Sequence, residues 1–92
     1  MLAIVTDRPV IVQPTRGMVL RQSEWLGVET VVPLQSAAGP GGRVFWFVNG
    51  EPAGEAARGE TVLWRPRGVT GRTVVTCATA SAASDQVAFQ IE

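Results

Sequence analysis

Apolar residues alternate with polar or small residues in several short runs of this chain, the period of two that is expected of β-strands. The clearest run is Val44–Val48, in which Trp46 and two valines share one side and two phenylalanines share the other. Asn49-Gly50 follows, a pair that tolerates the positive φ angles of a two-residue type I′ turn. The sequence therefore predicts a hairpin from this strand into Glu51–Ala53.

Similar runs predict further strands, which clusters of Gly, Pro, Ser and Asn separate. These predicted strands are Pro9–Gln13, Met18–Leu20, Val28–Gln35, Thr61–Trp64, Gly71–Ala80 and Gln86–Ile91. Pro33 cannot donate to a hydrogen-bonded ladder, so we expect it beside a sheet edge or a bulge. Loops are predicted for Ser36–Gly42, for Ser81–Asp85 and for residues 53–60, where two glycines interrupt good helix formers and no large apolar residue provides a face.

About seven short strands, with no convincing helical period, favour an all-β fold, an immunoglobulin-like antiparallel β-sandwich. A small closed barrel of the SH3-like or OB-like type has a similar strand spacing and stays open as an alternative. A chain of 92 residues is too short for a second core, so residues 1–92 are expected to form one domain. Trp46 and Cys77 are expected inside it, the cysteine as an inert thiol.

Charge and hydropathy narrow the choice of partners. Eight arginines balance eight acidic residues, so no basic excess is available to neutralise phosphates along a polymer. Neither nucleic acid nor an anionic membrane surface is therefore expected as a partner. No apolar run is long enough to insert into a membrane, and Asp7, Arg8 and Pro9 interrupt the only apolar stretch near the start.

The chain lacks side chains that catalytic sites commonly use. The chain has no His and no Lys, so no general base of either type can activate a Ser or Thr nucleophile. Cys77 and scattered carboxylates have no metal-ligand spacing. Glu51, Glu55 and Glu60 lie close in sequence but are interpreted as solvated charges, not as a glycosidase pair. We therefore expect no catalytic residue, no cofactor site and no metal site in this chain.

Surface aromatic residues are the remaining candidates for a functional contact. Trp25 lies among polar residues, and Trp64 ends a predicted strand beside Arg65 and Arg67. Exposed aromatic rings stack on sugars or anchor partner proteins. For Trp25 the favoured interpretation is packing on its own loop, and Trp64 is either a residue at the core edge or an exposed platform. The sequence leaves open a glycan-binding module that uses Trp25 or Trp64, and an interaction or adhesion module that pairs through an edge strand.

Several segments resemble the small C-terminal domain that follows the transpeptidase domain in class A, bifunctional penicillin-binding proteins of the 1C type. That domain carries an aromatic-Trp-aromatic strand ending in Asn-Gly or Asp-Gly, which Phe45–Pro52 fits. The other fitting segments are Ile11–Gly17, Leu63–Pro66, Gly71 with Val75 and Cys77, and Val87–Ile91. Thr79 and Ala82 depart from the pattern, because the family usually has Asp and Gly there, and this predicts a looser or longer last turn.

The resemblance implies an immunoglobulin-like module, a fragment of a larger protein of the periplasm or cell envelope whose other domains polymerise and cross-link peptidoglycan. The family's catalytic residues lie in those domains, and none maps onto this chain. The implied role is that of a non-catalytic accessory domain that acts by surface contacts. Its expected partners are the parent transpeptidase domain and, as further options, another envelope protein or peptidoglycan.

Overall fold

A computed structural model of the chain describes residues 8–21, 31–39, 42–66 and 68–92. This part of the chain contains eight β-strands and no helix. The strands are β1 (Ile11–Gln13), β2 (Val19–Leu20), β3 (Val32–Ser36), β4 (Arg43–Val48), β5 (Glu51–Ala57), β6 (Thr61–Trp64), β7 (Gly71–Thr79) and β8 (Ser84–Ile91).

The strands form two sheets. One has three strands in the order β1-β3-β6, and the other has five in the order β2-β8-β7-β4-β5. The predicted all-β, sandwich-like fold is confirmed, and two separate sheets replace the barrel alternative. All pairs are antiparallel except β2 with β8, which run parallel at the edge of the larger sheet. This parallel pair was not predicted, because β2 lies beside a strand that comes much later in the chain.

The core lies between the inner faces of the two sheets. Trp46 is 0 % exposed, which confirms its predicted place in the core. Residues of β3, β4, β7 and β8 surround it, because alternate positions of each strand point inward. Full burial of an aliphatic or aromatic side chain contributes about 1.5–3 kcal/mol, so this cluster supplies much of the stability of a small domain. Its members are Val32, Leu34, Val44, Trp46, Val48, Val75, Cys77, Phe89 and Ile91.

The predicted two-residue turn joins β4 to β5. Asn49 has a φ of 50° and Gly50 a φ of 83°, as a type I′ turn requires, so the prediction is confirmed. The turn is also attached to β7. The backbone N–H of Asn49 donates to the carbonyl of Val74 at 2.8 Å, and the N–H of Val74 donates to Asn49 Oδ1 at 2.9 Å. The hairpin end is thereby fixed against its neighbouring strand.

The predicted loop over residues 53–60 was wrong, because β5 continues to Ala57. Its backbone pairs with β4 as far as Arg43, with a register shift near Gly54, which has a φ of 148°. Ala56 lies opposite Val44 and is buried. Pairing along a strong apolar strand thus overrides the weak β-propensity of this segment, a common effect of tertiary context.

Strand β3 begins later and ends later than predicted. The start of the predicted strand Val28–Gln35 lies outside the described residues, and Ser36, which was predicted to begin a loop, is instead the buried last residue of β3. Pro33 lies opposite Leu63 of β6, while pairing with β1 covers only Gln35 and Ser36. Pro33 therefore lies in the middle strand of the sheet. On its β1 side it has no paired residue, because β1 pairs only with Gln35 and Ser36.

The turn between β7 and β8, which was predicted to be looser or longer than in the family, spans residues 80–83 and is closed by hydrogen bonds. The N–H of Ala82 donates to the carbonyl of Thr79 at 3.0 Å, and the N–H of Thr79 donates to the carbonyl of Ala83 at 2.8 Å. The hydroxyls of Thr79 and Ser81 are also hydrogen-bonded, at 2.9 Å. Ala82 has a φ of 69°, a left-handed conformation that an L-residue with a Cβ adopts at a cost.

Candidate functional site

A shallow groove beside the β4–β5 turn brings together residues from three parts of the chain, and we call it the Trp64 groove. Its volume is about 340 Å³. It is lined by Val48, Asn49, Glu51, Pro52, Trp64 and Val69. The β4–β5 hairpin contributes most of these residues, whereas Trp64 comes from the end of β6 in the other sheet. The groove therefore lies where the two sheets meet.

Local structure explains how Trp64 reaches this position. Trp64 lies opposite Val32 of β3 in the register of the smaller sheet. Residues alternate along β6, so Leu63 points outward and is 60 % exposed, whereas Trp64 is half-buried and packs on the core. The ring therefore has a fixed inner side and leaves part of its surface at the groove.

The lining of the groove combines apolar and polar groups. Trp64, Pro52 and Val69 provide apolar contact area, and the exposed Glu51 provides carboxylate oxygens that accept hydrogen bonds. Amphipathic aromatic side chains beside a few polar groups are typical of surfaces that bind sugars or protein segments. Chemically, the groove is suited to recognition by packing and hydrogen bonding.

The sequence-predicted contact residues have different outcomes. Trp64 lines the groove, and Arg65 follows it in the chain as an exposed residue. Trp25 and Arg67 lie outside the described residues. Nothing in the sequence predicted that Asn49, Pro52 and Val69 lie beside Trp64. The Asn-Gly signal located the turn, but nothing in the sequence placed that turn beside the end of β6.

The carboxylates that were weighed as a possible catalytic pair serve surface contacts. Glu55 forms an ion pair with Arg43 at 3.4 Å. Glu60 Oε1 accepts a hydrogen bond from the N–H of Ala57 at 2.9 Å. Glu51, Glu55 and Glu60 are all exposed, as their interpretation as solvated charges requires. Within the described ranges, no group of three or more His, Cys, Asp or Glu side chains is placed to hold a metal ion.

Cys77 is fully buried, in agreement with the predicted inert thiol. Burial, helped by the negative charge of Asp85 and opposed by Arg58, raises the pKa of the thiol from 9.0 to about 11. At pH 7 the thiolate fraction is therefore roughly a hundredfold lower than in the unfolded chain, and the thiolate is the nucleophile. No chemistry at neutral pH is expected from it.

The raised pKa of Cys77 predicts a loss of stability in alkali. Between pH 9 and 11 the folded state retains a proton that the unfolded state releases, so the free energy of unfolding falls as pH rises through this range and is unaffected below it. The chain contains no Lys and no Tyr, the other side chains that ordinarily titrate near this range, so Cys77 dominates the signal. Urea unfolding at a series of pH values measures it. Cys77→Ser should remove the pH dependence, and an identical slope in that variant would contradict the assignment.

The chain matches a known protein family over nearly its whole length. In the part of the chain that the structure describes, no helix is long and apolar enough to cross a membrane. No curated protein and no solved structure matches the chain. One family model matches, the Penicillin-Binding Protein C-terminus Family, and it covers residues 4–89, nearly the whole sequence. The match includes the strand around Trp46, the Asn-Gly turn and the Trp64 segment, so the chain belongs to the C-terminus family of penicillin-binding proteins.

Proposed function

We propose that this chain is a non-catalytic accessory domain of a penicillin-binding protein and that it acts through contacts of its surface, the Trp64 groove first among them. The parent would be a bifunctional peptidoglycan glycosyltransferase and transpeptidase of the 1C type, located in the cell envelope with this domain in the periplasm. Family membership supports the accessory role. The groove, with its half-buried Trp64 and exposed Glu51, is the observation that supports action by contact.

Two further observations favour contact over catalysis. The chain lacks His and Lys altogether, and its one cysteine is buried with a raised pKa. The exposed acidic side chains of β5 and its following turn are engaged in local pairs or solvated. Measured glycosyltransferase or transpeptidase activity of the isolated chain would contradict the proposal.

The leading partner is a protein surface, namely the transpeptidase domain of the same parent or another envelope protein. A groove at the meeting line of two sheets presents an apolar ring and a carboxylate together, and aromatic anchors of this kind dominate the energetics of protein interfaces. The second candidate is peptidoglycan itself, because a Trp ring with a neighbouring carboxylate also suits the apolar face and the hydroxyls of a sugar.

Substitutions in the groove test the proposal. We expect Trp64→Ala to weaken binding of the cognate ligand by at least about tenfold, because interface aromatics often contribute more than 2 kcal/mol. Leu63→Ala is the matched control, since Leu63 is the adjacent residue of β6 on the opposite face and is exposed. Glu51→Gln is a second groove variant that keeps the core intact, because Glu51 is exposed at the turn. If Trp64→Ala lost binding only because it unfolded, Glu51→Gln would still report whether the groove binds the ligand.

Two probes separate the candidate partners. Soluble peptidoglycan fragments and the purified transpeptidase domain are each titrated into the isotope-labelled chain, and the Trp64 indole and Glu51 amide signals are followed by NMR. Saturable shifts with the transpeptidase domain, lost in both groove variants and kept in Leu63→Ala, support the protein contact. The same pattern with the fragments supports the glycan. Absence of shifts at the groove with both probes would exclude the transpeptidase domain and the glycan as its ligands.

A further inference from the structure

A second depression lies on the outer face of the five-stranded sheet, and we call it the arginine pocket. It has a volume of about 340 Å³ and is lined by Arg16, Arg72, Val74, Gln86 and Ala88. Two guanidinium groups thus border one open site above a floor of small and β-branched side chains. None of these residues lines the Trp64 groove.

Strand register builds most of this pocket. Thr73, Val75 and Cys77 of β7 are buried, so the alternating residues Arg72 and Val74 point to the outer face. Val74 lies opposite Ala88 of β8. Gln86 lies two positions before Ala88 on the same strand and therefore on the same face. The pairing therefore places the side chains of these residues in adjacent positions on one surface.

The turn before β2 supplies the second arginine. The N–H of Gly17 donates to the carbonyl of Ala88 at 3.0 Å, and the N–H of Gln90 donates to the carbonyl of Met18 at 2.8 Å. These two bonds attach the turn to β8 at Ala88, which lines the pocket, and at Gln90. Arg16 is thereby held beside the pocket by backbone contacts, while its own side chain stays exposed.

The two arginines at the pocket have no ion-pair partner among the described residues. Among the described residues, Arg8, Arg21 and Arg43 each form an ion pair, with Asp85, Glu92 and Glu55 respectively. Arg16 and Arg72 form none within that part of the chain. Two neighbouring like charges without a counter-charge raise the local potential and attract an anion.

We propose that the arginine pocket binds a doubly charged oxyanion of the phosphate type. A phosphate group carries about 1.5 to 2 negative charges at pH 7, which suits two guanidinium groups, and arginine binds it through bidentate, charge-assisted hydrogen bonds. Gln86 uses one N–H of its amide to donate to Thr76 Oγ1 at 3.1 Å, and an amide has a second N–H to offer. The net charge of zero disfavours long polyanions but not a single local group.

The test is a titration of the 92-residue chain with inorganic phosphate at constant ionic strength, followed by NMR at the arginine side chains and at the amides of Val74 and Ala88. Saturable shifts confined to the pocket are expected. Arg72→Gln should weaken binding by at least about tenfold, because one of two charge-assisted contacts is removed. Arg43→Gln is the matched control, since Arg43 is exposed at the opposite end of the same sheet and already paired with Glu55.

Ligand charge provides a second, independent readout. Phosphate affinity should fall between pH 7.5 and pH 5.5, because phosphate gains a proton in this range, whereas sulfate affinity should stay constant. Acetate and a phosphodiester, which each carry one charge, should bind more weakly than phosphate. Equal binding of these monoanions, equal weakening by Arg43→Gln, or shifts that chloride reproduces at the same ionic strength would overturn the proposal. The outcome is independent of the Trp64 groove.

Discussion

Trp46→Ala should be the most destabilising single substitution in the described core, lowering the free energy of unfolding by about 3–5 kcal/mol. Trp46 is 0 % exposed and pairs with Cys77 on one side and with Gly54 on the other. Gly54 offers no side chain to fill the space that truncation would leave. A domain of this size has a total stability of only about 5–15 kcal/mol, so the variant should melt at least about 12 °C lower. Urea unfolding followed by far-UV circular dichroism measures the loss without relying on the indole that is removed.

Trp46→Phe separates the packing of the ring from the polarity of its N–H. The Nε1 atom is buried and has no hydrogen-bond partner among the described residues. An unsatisfied buried donor costs about 1–3 kcal/mol, and phenylalanine removes it while it keeps an aromatic ring. We therefore expect Trp46→Phe to cost clearly less than half of what Trp46→Ala costs. Equal losses in the two variants would show that the indole N–H has a partner and that the bicyclic shape is decisive.

The role of Trp46 explains why the strand that most resembles the family serves mainly to build the core. The strand and Asn-Gly turn around it are what most resembles the family, yet these residues build the core and attach the hairpin to β7. Packing restricts such positions strongly, because cores tolerate few changes in volume. The contacts that we propose lie at the surface around this core. The Trp64 groove lies at the β4–β5 turn and the end of β6, and the arginine pocket lies on the outer face of β7 and β8.

Much of the fold was predictable because strand burial follows a period of two. The inward positions of β7 and β8 and the hairpin turn at Asn49-Gly50 were predicted from local sequence alone. Residues 53–60 were not, because their small and charged residues have little β-propensity and form a strand only through pairing with β4. The parallel contact of β2 with β8 likewise depends on a partner distant in sequence.

The candidate sites were less predictable than the fold. Trp64 was identified from its type and its place at a strand end, but the neighbouring turn residues depend on how two sheets meet. Arg16 and Arg72 were not identified, because a neutral net charge hides a local pair. Their proximity requires the hydrogen bond from Gly17 to Ala88, which no local pattern specifies.

Gly59→Ala should destabilise the domain by about 2–3 kcal/mol, through backbone strain together with a steric clash. Gly59 has a φ of 90°, and a Cβ there would lie 3.0 Å from Ala38 Cβ and 3.2 Å from Ala38 Cα. Ala38 cannot retreat freely, since the N–H of the preceding Ala37 donates to the carbonyl of Val10 at 2.8 Å. Gly59 also accepts a hydrogen bond from Gln35 Nε2 at 2.9 Å, which connects the β5–β6 turn to the middle strand of the smaller sheet. Thermal and urea unfolding should both report the loss.

Two further variants divide this effect into its causes. Gly50 has a φ of 83°, but no atom lies within 4 Å of the position that a Cβ would occupy. Gly50→Ala should therefore lower the free energy of unfolding only by the backbone strain, about 1 kcal/mol. Ala82 presents the reverse case, a φ of 69° with a Cβ already present. Ala82→Gly should relieve the backbone strain and so stabilise the last turn by up to about 1 kcal/mol. The net gain is smaller, because glycine has a higher conformational entropy in the unfolded chain. If Gly59→Ala cost no more than Gly50→Ala, then Ala38 would move aside, and the contact between the β5–β6 turn and the end of β3 would be adaptable instead of close-packed.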